Sequence, residues 1–133
     1  MSNPLELAHA KHDEEIAVML NGMGKSIQWT VIICFYSSLH YVRSKIFPLT
    51  EVSGGVTTTY NSLDDYHSRR SVGSMHDNLV ALAWVYLPDI APKYQMLLHE
   101  SITARYNNYS YDKRASESAM KNLMEIKKVC LKK

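Results

Sequence analysis

The sequence predicts an all-α protein, an antiparallel bundle of four to five helices in one domain spanning residues 1–133. Three observations support this fold class. Apolar residues recur at helical spacing in several separate segments. The chain contains only 5 glycines and 4 prolines, which argues against a turn-rich all-β fold and against disorder. Hydrophobic residues make up 46% of the chain, enough to build a core.

The first helix is predicted to begin at Asn3-Pro4, which has the form of an N-cap residue followed by proline in the first turn. Apolar residues at helical spacing continue from there. Because Asn21, Gly22 and Gly24 break the pattern, we expect this helix to end near Leu20.

A second helix is predicted from Ser26, its candidate N-cap, to Phe47, where Pro48 stops it. Its apolar residues form two adjoining stripes: Trp29, Ile33, Tyr36 and His40, and then Ile32, Phe35, Leu39, Val42 and Ile46. A helix that is apolar over so much of its circumference is usually central, so we expect the first and last helices to flank it. Replacing an enclosed Trp29 by alanine should then cost roughly 3–5 kcal/mol.

The segment from Leu49 to Asn61 contains Gly54-Gly55 and a threonine run without a sustained period, which indicates a loop. A short strand from Val56 to Tyr60 needs a pairing partner that the sequence does not identify. Helix is predicted to resume from Leu63 to Tyr86, with an interruption near Gly73.

Two further helices complete the predicted bundle. One follows a cap at Asp89, with Pro92 in its first turn and the apolar stripe Ile90, Tyr94, Leu97, Leu98, Ile102 and Tyr106. The last begins at Ser110 or Asp112 and is predicted to turn inward Ala115, Ala119, Leu123, Ile126 and Cys130.

Composition excludes several classes of protein. The formal net charge of +2 is too small for a strongly basic protein that coats nucleic acid. It does not exclude a local basic patch. The longest apolar run, Val31 to Tyr36, is far shorter than the roughly 20 residues that a membrane span needs. Met1 to Glu15 lacks the basic flank and apolar core of a signal peptide. We therefore expect a soluble, cytoplasmic protein that does not bind membranes.

No sequence pattern predicts a metal site or a cofactor. The two cysteines, Cys34 and Cys130, cannot form a zinc site by themselves, and Cys34 is expected to be a buried apolar residue. The six histidines include no His-Glu-x-x-His motif. Gly22-x-Gly24-Lys25-Ser26 is similar to part of a phosphate loop, but it follows a helix and lacks the earlier glycine.

The residues that could carry chemistry are polar groups distributed over helical faces. His40 lies one turn beyond Tyr36, and His67 and Arg70 are neighbours on one helix face. His76 follows Arg70 within about two turns. The structural alternative for His40 is a core histidine bonded to a hydroxyl or carbonyl group. The alternative for Tyr66 to Arg70 is the solvated start of a helix.

Ser101 and Arg105 continue the apolar stripe of the helix predicted after Asp89, and Tyr106 follows directly. Because burying an unpaired arginine is costly, we expect the guanidinium of Arg105 to emerge at the edge of the core. Its planar fork of donors suits phosphate. An arginine and histidine set can cleave RNA without metal when a base takes the ribose 2′-hydroxyl proton and arginine neutralises the phosphate.

These segments resemble small HEPN-domain proteins. The likeness lies in the aromatic-rich second helix, Trp29-Thr-Val-Ile-Ile-Cys-Phe35-Tyr36-Ser-Ser-Leu39-His40, and continues through His67-Ser-Arg-Arg70. It extends to Ile90-Ala-Pro-Lys-Tyr94-Gln-Met-Leu97 and Ser101-Ile-Thr-Ala-Arg105-Tyr106. The resemblance implies a helical bundle that commonly dimerises, with a cleft at the two-fold axis. It also implies a metal-independent ribonuclease of the kind found in toxin–antitoxin, phage-defence or RNA-processing systems.

The family motif is an arginine, usually followed by a polar residue, with a histidine a few residues later. On the helix that normally carries it, this chain reads Arg105-Tyr-Asn-Asn-Tyr-Ser-Tyr111, with arginine present and histidine absent. Arg70-Ser-Val-Gly-Ser-Met-His76 has the spacing but lies in an earlier segment.

The first hypothesis is therefore a homodimeric endoribonuclease or RNA-targeting toxin or defence component, with an antitoxin or defence-system protein as partner. Its catalytic residues are predicted to be Arg105, His67, Arg70 and His76, and its binding residues His40, Tyr36, Ser101 and Tyr106. A second hypothesis is a non-catalytic HEPN module that binds nucleotide, RNA or a partner protein. A third is a helical interaction protein whose dimer surface is its function.

Overall fold

The computed structural model describes residues 3–24, 26–70, 73–106 and 112–132. Within these ranges the chain forms six helices and one two-stranded sheet, so the all-α prediction is confirmed. The helices are α1 (Pro4–Met23), α2 (Ile27–Ile46), α3 (Leu63–Arg70), α4 (Met75–Tyr86), α5 (Ala91–Tyr106) and α6 (Lys113–Cys130). The strands are β1 (Leu49–Ser53) and β2 (Val56–Tyr60). None of the helices in the described part is both long and apolar enough to cross a membrane.

Helix α2 is central, and α1 and α6 flank it as predicted. The start of α1 meets the end of α2, where the Asn3 amide donates to the Ser44 carbonyl at 3.2 Å, so these two helices are antiparallel. Helix α5 also packs on α2. Helix α1 approaches α2 through Ala10 and Ala17, which are fully buried. Small residues at this contact allow the two helix backbones to come close together.

Helix α1 begins as predicted and ends later than predicted. The Asn3 side chain accepts from the Leu5 and Glu6 amides at 3.0 and 3.3 Å, which completes the N-cap. The predicted end near Leu20 is wrong, because the helix continues to Met23. Gly24 then terminates it with a φ of 67°, a left-handed conformation that suits glycine.

The loop predicted from Leu49 to Asn61 is wrong, because this segment is a β-hairpin. Strand β1 is the partner that β2 needs, and the two pair antiparallel with Leu49 opposite Tyr60. Gly54 and Gly55 form the two-residue turn, with φ values of 57° and 79°. Positive φ at both turn positions matches the twist of a hairpin and explains why glycine stands at both.

The interruption predicted near Gly73 is confirmed and divides the expected single helix into α3 and α4. Gly73 has a φ of 67°. Ser74 then caps α4, since its hydroxyl accepts from the Asp77 amide at 3.0 Å while the Asp77 carboxylate accepts from the Ser74 amide at 3.3 Å. Because of this division, the described ranges contain six helices instead of the predicted four to five.

Helix α6 follows the prediction closely. Asp112 is its N-cap and accepts from the Ala115 amide at 3.3 Å; the alternative start, Ser110, lies outside the described residues. The predicted inward stripe is buried at Ala119, Leu123, Ile126 and Cys130, and Ala115 is half-buried.

The two apolar stripes of α2 have different environments. Ile32, Phe35, Leu39, Val42 and Ile46 are buried, as a central helix requires. The prediction that Trp29 is enclosed is wrong, since its side chain is 61% exposed. Trp29, Ile33 and Tyr36 of this stripe line an open groove between α1 and α2. The large stability loss expected for Trp29→Ala therefore does not apply.

Candidate functional site

Arg105, at the end of α5, lies against Tyr36 of α2. Its Nη1 donates to the Tyr36 hydroxyl at 2.8 Å, and its guanidinium carbon is 5.8 Å from the centre of that ring. Its Nε is 3.4 Å from the Ser101 carbonyl one turn earlier. The side chain is half-buried, as the sequence predicts for an arginine at the edge of the core. These contacts fix the plane of the guanidinium.

His76, near the start of α4, belongs to the same cluster. Its ring packs on Phe35, with the ring centres 5.6 Å apart. Burial lowers the pKa of His76, and the positive charge of Arg105 lowers it further, while Asp77 acts in the opposite direction. His76 is therefore neutral over a wider pH range than an exposed histidine. We call Tyr36, His76 and Arg105 the Arg105 cluster.

The packing of α2 against α5 positions this cluster. Phe35 is fully buried, and its ring centre is 5.8 Å from that of Tyr94 on α5. The Gln28 side chain of α2 donates to the Ala104 carbonyl beside Arg105. Ser101 is buried, and its hydroxyl donates to the Leu98 carbonyl at 3.0 Å, so it contributes to the cluster through its backbone carbonyl. Tyr106 lies in α5, but its side chain is outside the described part of the chain.

His40 belongs to a separate polar cluster between α1 and α2. Its Nδ1 donates to the Glu6 carboxylate at 2.6 Å, and its Nε2 is 3.9 Å from the Asp13 carboxylate. Its ring stacks on His9 at 5.2 Å. Arg43 Nε lies 3.1 Å from the same Glu6 carboxylate. We call Glu6, His9, Asp13, His40 and Arg43 the His40 cluster, and its ion pairs join α1 to α2.

The His40 cluster lowers the pKa of the Glu6 carboxyl group. Burial alone raises the pKa of its carboxyl group, but the hydrogen bond from His40 and the positive charge of Arg43 outweigh burial. The net result is a pKa below the ordinary value of 4.5. The ionised form of the carboxyl group is therefore more stable in the folded protein than in the unfolded chain.

We expect Glu6→Gln to destabilise the protein by about 1–3 kcal/mol at pH 7, because it leaves His40 and Arg43 without their shared carboxylate. A lowered folded-state pKa stabilises above the unfolded value, and this contribution is lost as the pH falls through the folded value. The difference between wild type and Glu6→Gln should therefore shrink between pH 5 and pH 3 in urea unfolding curves. Glu15→Gln, at an exposed position of α1, is the control and should show no such pH-dependent difference.

The other two predicted catalytic residues lie on α3. The Asn78 amide nitrogen donates to His67 Nδ1 at 2.7 Å, which joins α3 to α4. Arg70 is 3.7 Å from the Glu51 carboxylate of β1, and its guanidinium lies over the Tyr66 ring at 5.3 Å. The sequence spacing paired Arg70 with His76, whereas the structure brings Arg105 into electrostatic range of His76 and Arg70 to an acid of the hairpin.

A groove between α1 and α2 adjoins the Arg105 cluster. It has a volume of about 360 Å³ and is almost wholly apolar. Its lining consists of Ile16, Leu20, Ser26, Trp29, Ile32, Ile33 and Tyr36. We call it the α1–α2 groove. Tyr36 is shared, since its side chain lines the groove while its hydroxyl accepts from Arg105.

The remaining nucleophile and ligand candidates are structural. Cys34 and Cys130 are buried, and burial raises the pKa of each thiol to about 12, so both are protonated at neutral pH. Among the described residues, no group of three or more histidines, cysteines or acids has the geometry to hold a metal ion.

Sequence reasoning missed two features of the site. Phe35 was assigned to the core stripe, and nothing in its spacing shows that it also supports His76. Trp29 was assigned to the core because an exposed tryptophan has no sequence signal distinct from a buried one.

No protein-family model matches the chain, and no match is found among curated proteins or solved structures.

Proposed function

We propose that the protein is a metal-independent endoribonuclease of the HEPN type whose reaction centre is the Arg105 cluster. One observation carries the proposal: an arginine, a histidine with a lowered pKa and a tyrosine hydroxyl come together where α2, α4 and α5 meet. Two of the four catalytic residues suggested by the sequence, Arg105 and His76, belong to this group.

Arg105 is suited to the charge that develops during phosphodiester cleavage. A guanidinium presents a planar fork of N–H donors, which matches the geometry of phosphate oxygens. The bond to Tyr36 and the contact with the Ser101 carbonyl hold that fork in one orientation. Donors that are already oriented stabilise a developing negative charge without a cost of reorganisation.

His76 is suited to act as the base. In the proposed step its neutral imidazole takes the proton of the ribose 2′-hydroxyl, and the 2′-oxygen forms a bond to phosphorus. The bond from phosphorus to the 5′-oxygen breaks, and that oxygen takes a proton from water or from the imidazolium. The products are a 2′,3′-cyclic phosphate and a 5′-hydroxyl end. A lowered pKa keeps the imidazole ready to accept a proton in mildly acidic solution.

The test is digestion of a labelled single-stranded RNA in the presence of EDTA. Wild-type protein should cleave it and leave 2′,3′-cyclic phosphate ends. His76→Ala should lower the rate by about 10²–10⁴-fold, the range expected when a general base is lost. The acid limb of the wild-type rate profile should lie below pH 6.5, because the pKa of His76 is lowered from that value.

His99→Ala is the matched control, since His99 is exposed on α5. It should cleave RNA at the wild-type rate. Equal rates for His76→Ala and wild type, or cleavage that stops when EDTA is added, would contradict the proposal. A substrate with deoxyribose at the scissile position should stay intact, because it lacks the attacking hydroxyl.

A non-catalytic HEPN module that binds nucleotide or RNA is the second candidate. It is favoured by the positions of the other predicted histidines, since His40 bonds to Glu6 and His67 bonds to Asn78. This candidate predicts that RNA binds without cleavage and that Arg105→Ala weakens binding. The HEPN resemblance also implies a homodimer, which sedimentation of the purified protein tests. It implies an antitoxin or defence-system partner as well, which co-purification tests.

A further inference from the structure

The α1–α2 groove is an exposed apolar surface that the proposed reaction does not use. Its outer wall is Trp29, which is 61% exposed although it stands on the central helix. A volume of about 360 Å³ lies within the range of small-ligand sites. An exposed tryptophan beside an apolar groove offers a flat surface on which a planar ring can stack.

The groove and the Arg105 cluster are continuous through Tyr36. Tyr36 lines the groove, and its hydroxyl accepts the 2.8 Å hydrogen bond from Arg105. A molecule that extends from the groove past Tyr36 therefore passes from an apolar surface to a positive charge. A nucleotide has the same order of groups, with an uncharged planar base at one end and an anionic phosphate at the other.

We infer that the α1–α2 groove binds an unpaired nucleobase of single-stranded RNA, stacked on Trp29, while the adjoining phosphate meets Arg105. The inference rests on the proposed function and deepens it by naming the substrate class. Stacking on an aromatic side chain tolerates any base, because every base has a π face. Bases inside a duplex are already stacked and cannot enter the groove, so single strands are preferred to double strands.

The positive charge next to the groove favours a nucleotide over an amphipathic helix. The lining itself is almost wholly apolar and suits the uncharged face of a base. The positive charge of Arg105 at the Tyr36 end complements a phosphate, whereas the apolar face of a helix carries no charge that would pair with it.

The test measures binding apart from cleavage. The probes are two short DNA oligonucleotides of equal length, one thymidine-rich and one abasic, because neither has the 2′-hydroxyl that cleavage needs. In a Trp84→Phe background Trp29 is the sole tryptophan, so its fluorescence reports the groove. The thymidine oligonucleotide should quench this fluorescence, and the abasic oligonucleotide should not.

Trp29→Ala should weaken binding of the thymidine oligonucleotide by about 5- to 150-fold, the range measured for the loss of one stacked base. It should leave binding of the abasic oligonucleotide unchanged, whereas Arg105→Ala should weaken both. Trp84→Ala is the matched control, since Trp84 is also exposed, at 47%, but lies on α4 outside the groove. It should bind both oligonucleotides like wild type.

Two outcomes would overturn the inference. One is equal binding of the thymidine oligonucleotide by Trp29→Ala and wild type. The other is a dimer that Trp29→Ala converts to monomer, since the groove is then occupied by a second copy of the chain. Failure of the proposed function is a separate result: RNA stays intact while Trp29 is still quenched by the thymidine oligonucleotide.

Discussion

Arg105→Ala is expected to lower RNA cleavage by about 10²–10³-fold, the loss typical when an oriented donor to a developing oxyanion is removed. The reason is geometric. Arg105 donates to the Tyr36 hydroxyl, and its positive charge lowers the pKa of His76. Its removal therefore takes the positive charge away from the phosphate in the proposed reaction. The fold should remain, because each hydrogen bond that the Arg105 side chain makes to Tyr36 and Ser101 is worth only about 0.5–1.5 kcal/mol. Initial rates and a thermal melt measure the two effects.

Two further variants separate the chemistry of Arg105 from its charge. Arg105→Lys keeps the charge but loses the planar fork, so it should recover only part of the rate. Arg114→Ala removes one positive charge at a side chain that is 91% exposed, and it should cleave like wild type. An Arg105→Ala protein that unfolds, or that cuts RNA at the wild-type rate, would be incompatible with the assignment.

The fold was predictable where its determinants are local. Asn3 and Asp112 cap their helices in the structure as their sequence context indicates. The β-hairpin was missed although Gly54-Gly55 is a recognised turn signal. Its strands lack the alternation that normally identifies a half-buried sheet, since Leu49 and Tyr60 are buried while Val52 and Val56 are exposed.

The sequence named the three residues of the Arg105 cluster among eight candidates, but it did not show which of the eight come together. Arg105 and His76 both stand out as polar groups on apolar helices. Their association depends on how α4 and α5 pack against Phe35, which sequence spacing does not encode. The same spacing favoured Arg70 as the partner of His76, but Glu51 of β1 lies beside Arg70 instead, on a hairpin that the sequence did not reveal. Long-range packing therefore decided the composition of the cluster.

The exposure of Trp29 has the same origin. A helical stripe shows which residues share a face, but it does not show whether a neighbouring helix covers that face. Ala10 and Ala17 bring α1 close to α2 along one line. The bulkier Ile16 and Leu20 stand beside Trp29 in the open groove. The residues of α1 that face α2 therefore decide which stripe of α2 becomes core.

Phe35→Ala should reduce the free energy of unfolding by about 3–5 kcal/mol, the range for removing an enclosed phenylalanine side chain. Phe35 is 0% exposed, and its ring centre lies 5.3 Å from Tyr36 and 5.8 Å from Tyr94. Urea unfolding measures the loss. Trp29→Ala is the matched control on the same helix, and its exposure predicts a change below about 1 kcal/mol. A loss below about 1 kcal/mol for Phe35→Ala would show that the Phe35 ring is not a tightly packed part of the core.

Phe35→Leu tests whether the same ring also positions His76. Leucine keeps most of the apolar volume, so the variant should stay folded with a loss of less than about 2 kcal/mol. Because burial is the main cause of the lowered pKa of His76, and the Phe35 ring lies 5.6 Å from that imidazole, a smaller side chain admits water beside it. The acid limb of RNA cleavage should then move up toward pH 6.5. A folded Phe35→Leu protein with an unshifted limb would mean that Phe35 stabilises the core without tuning the base.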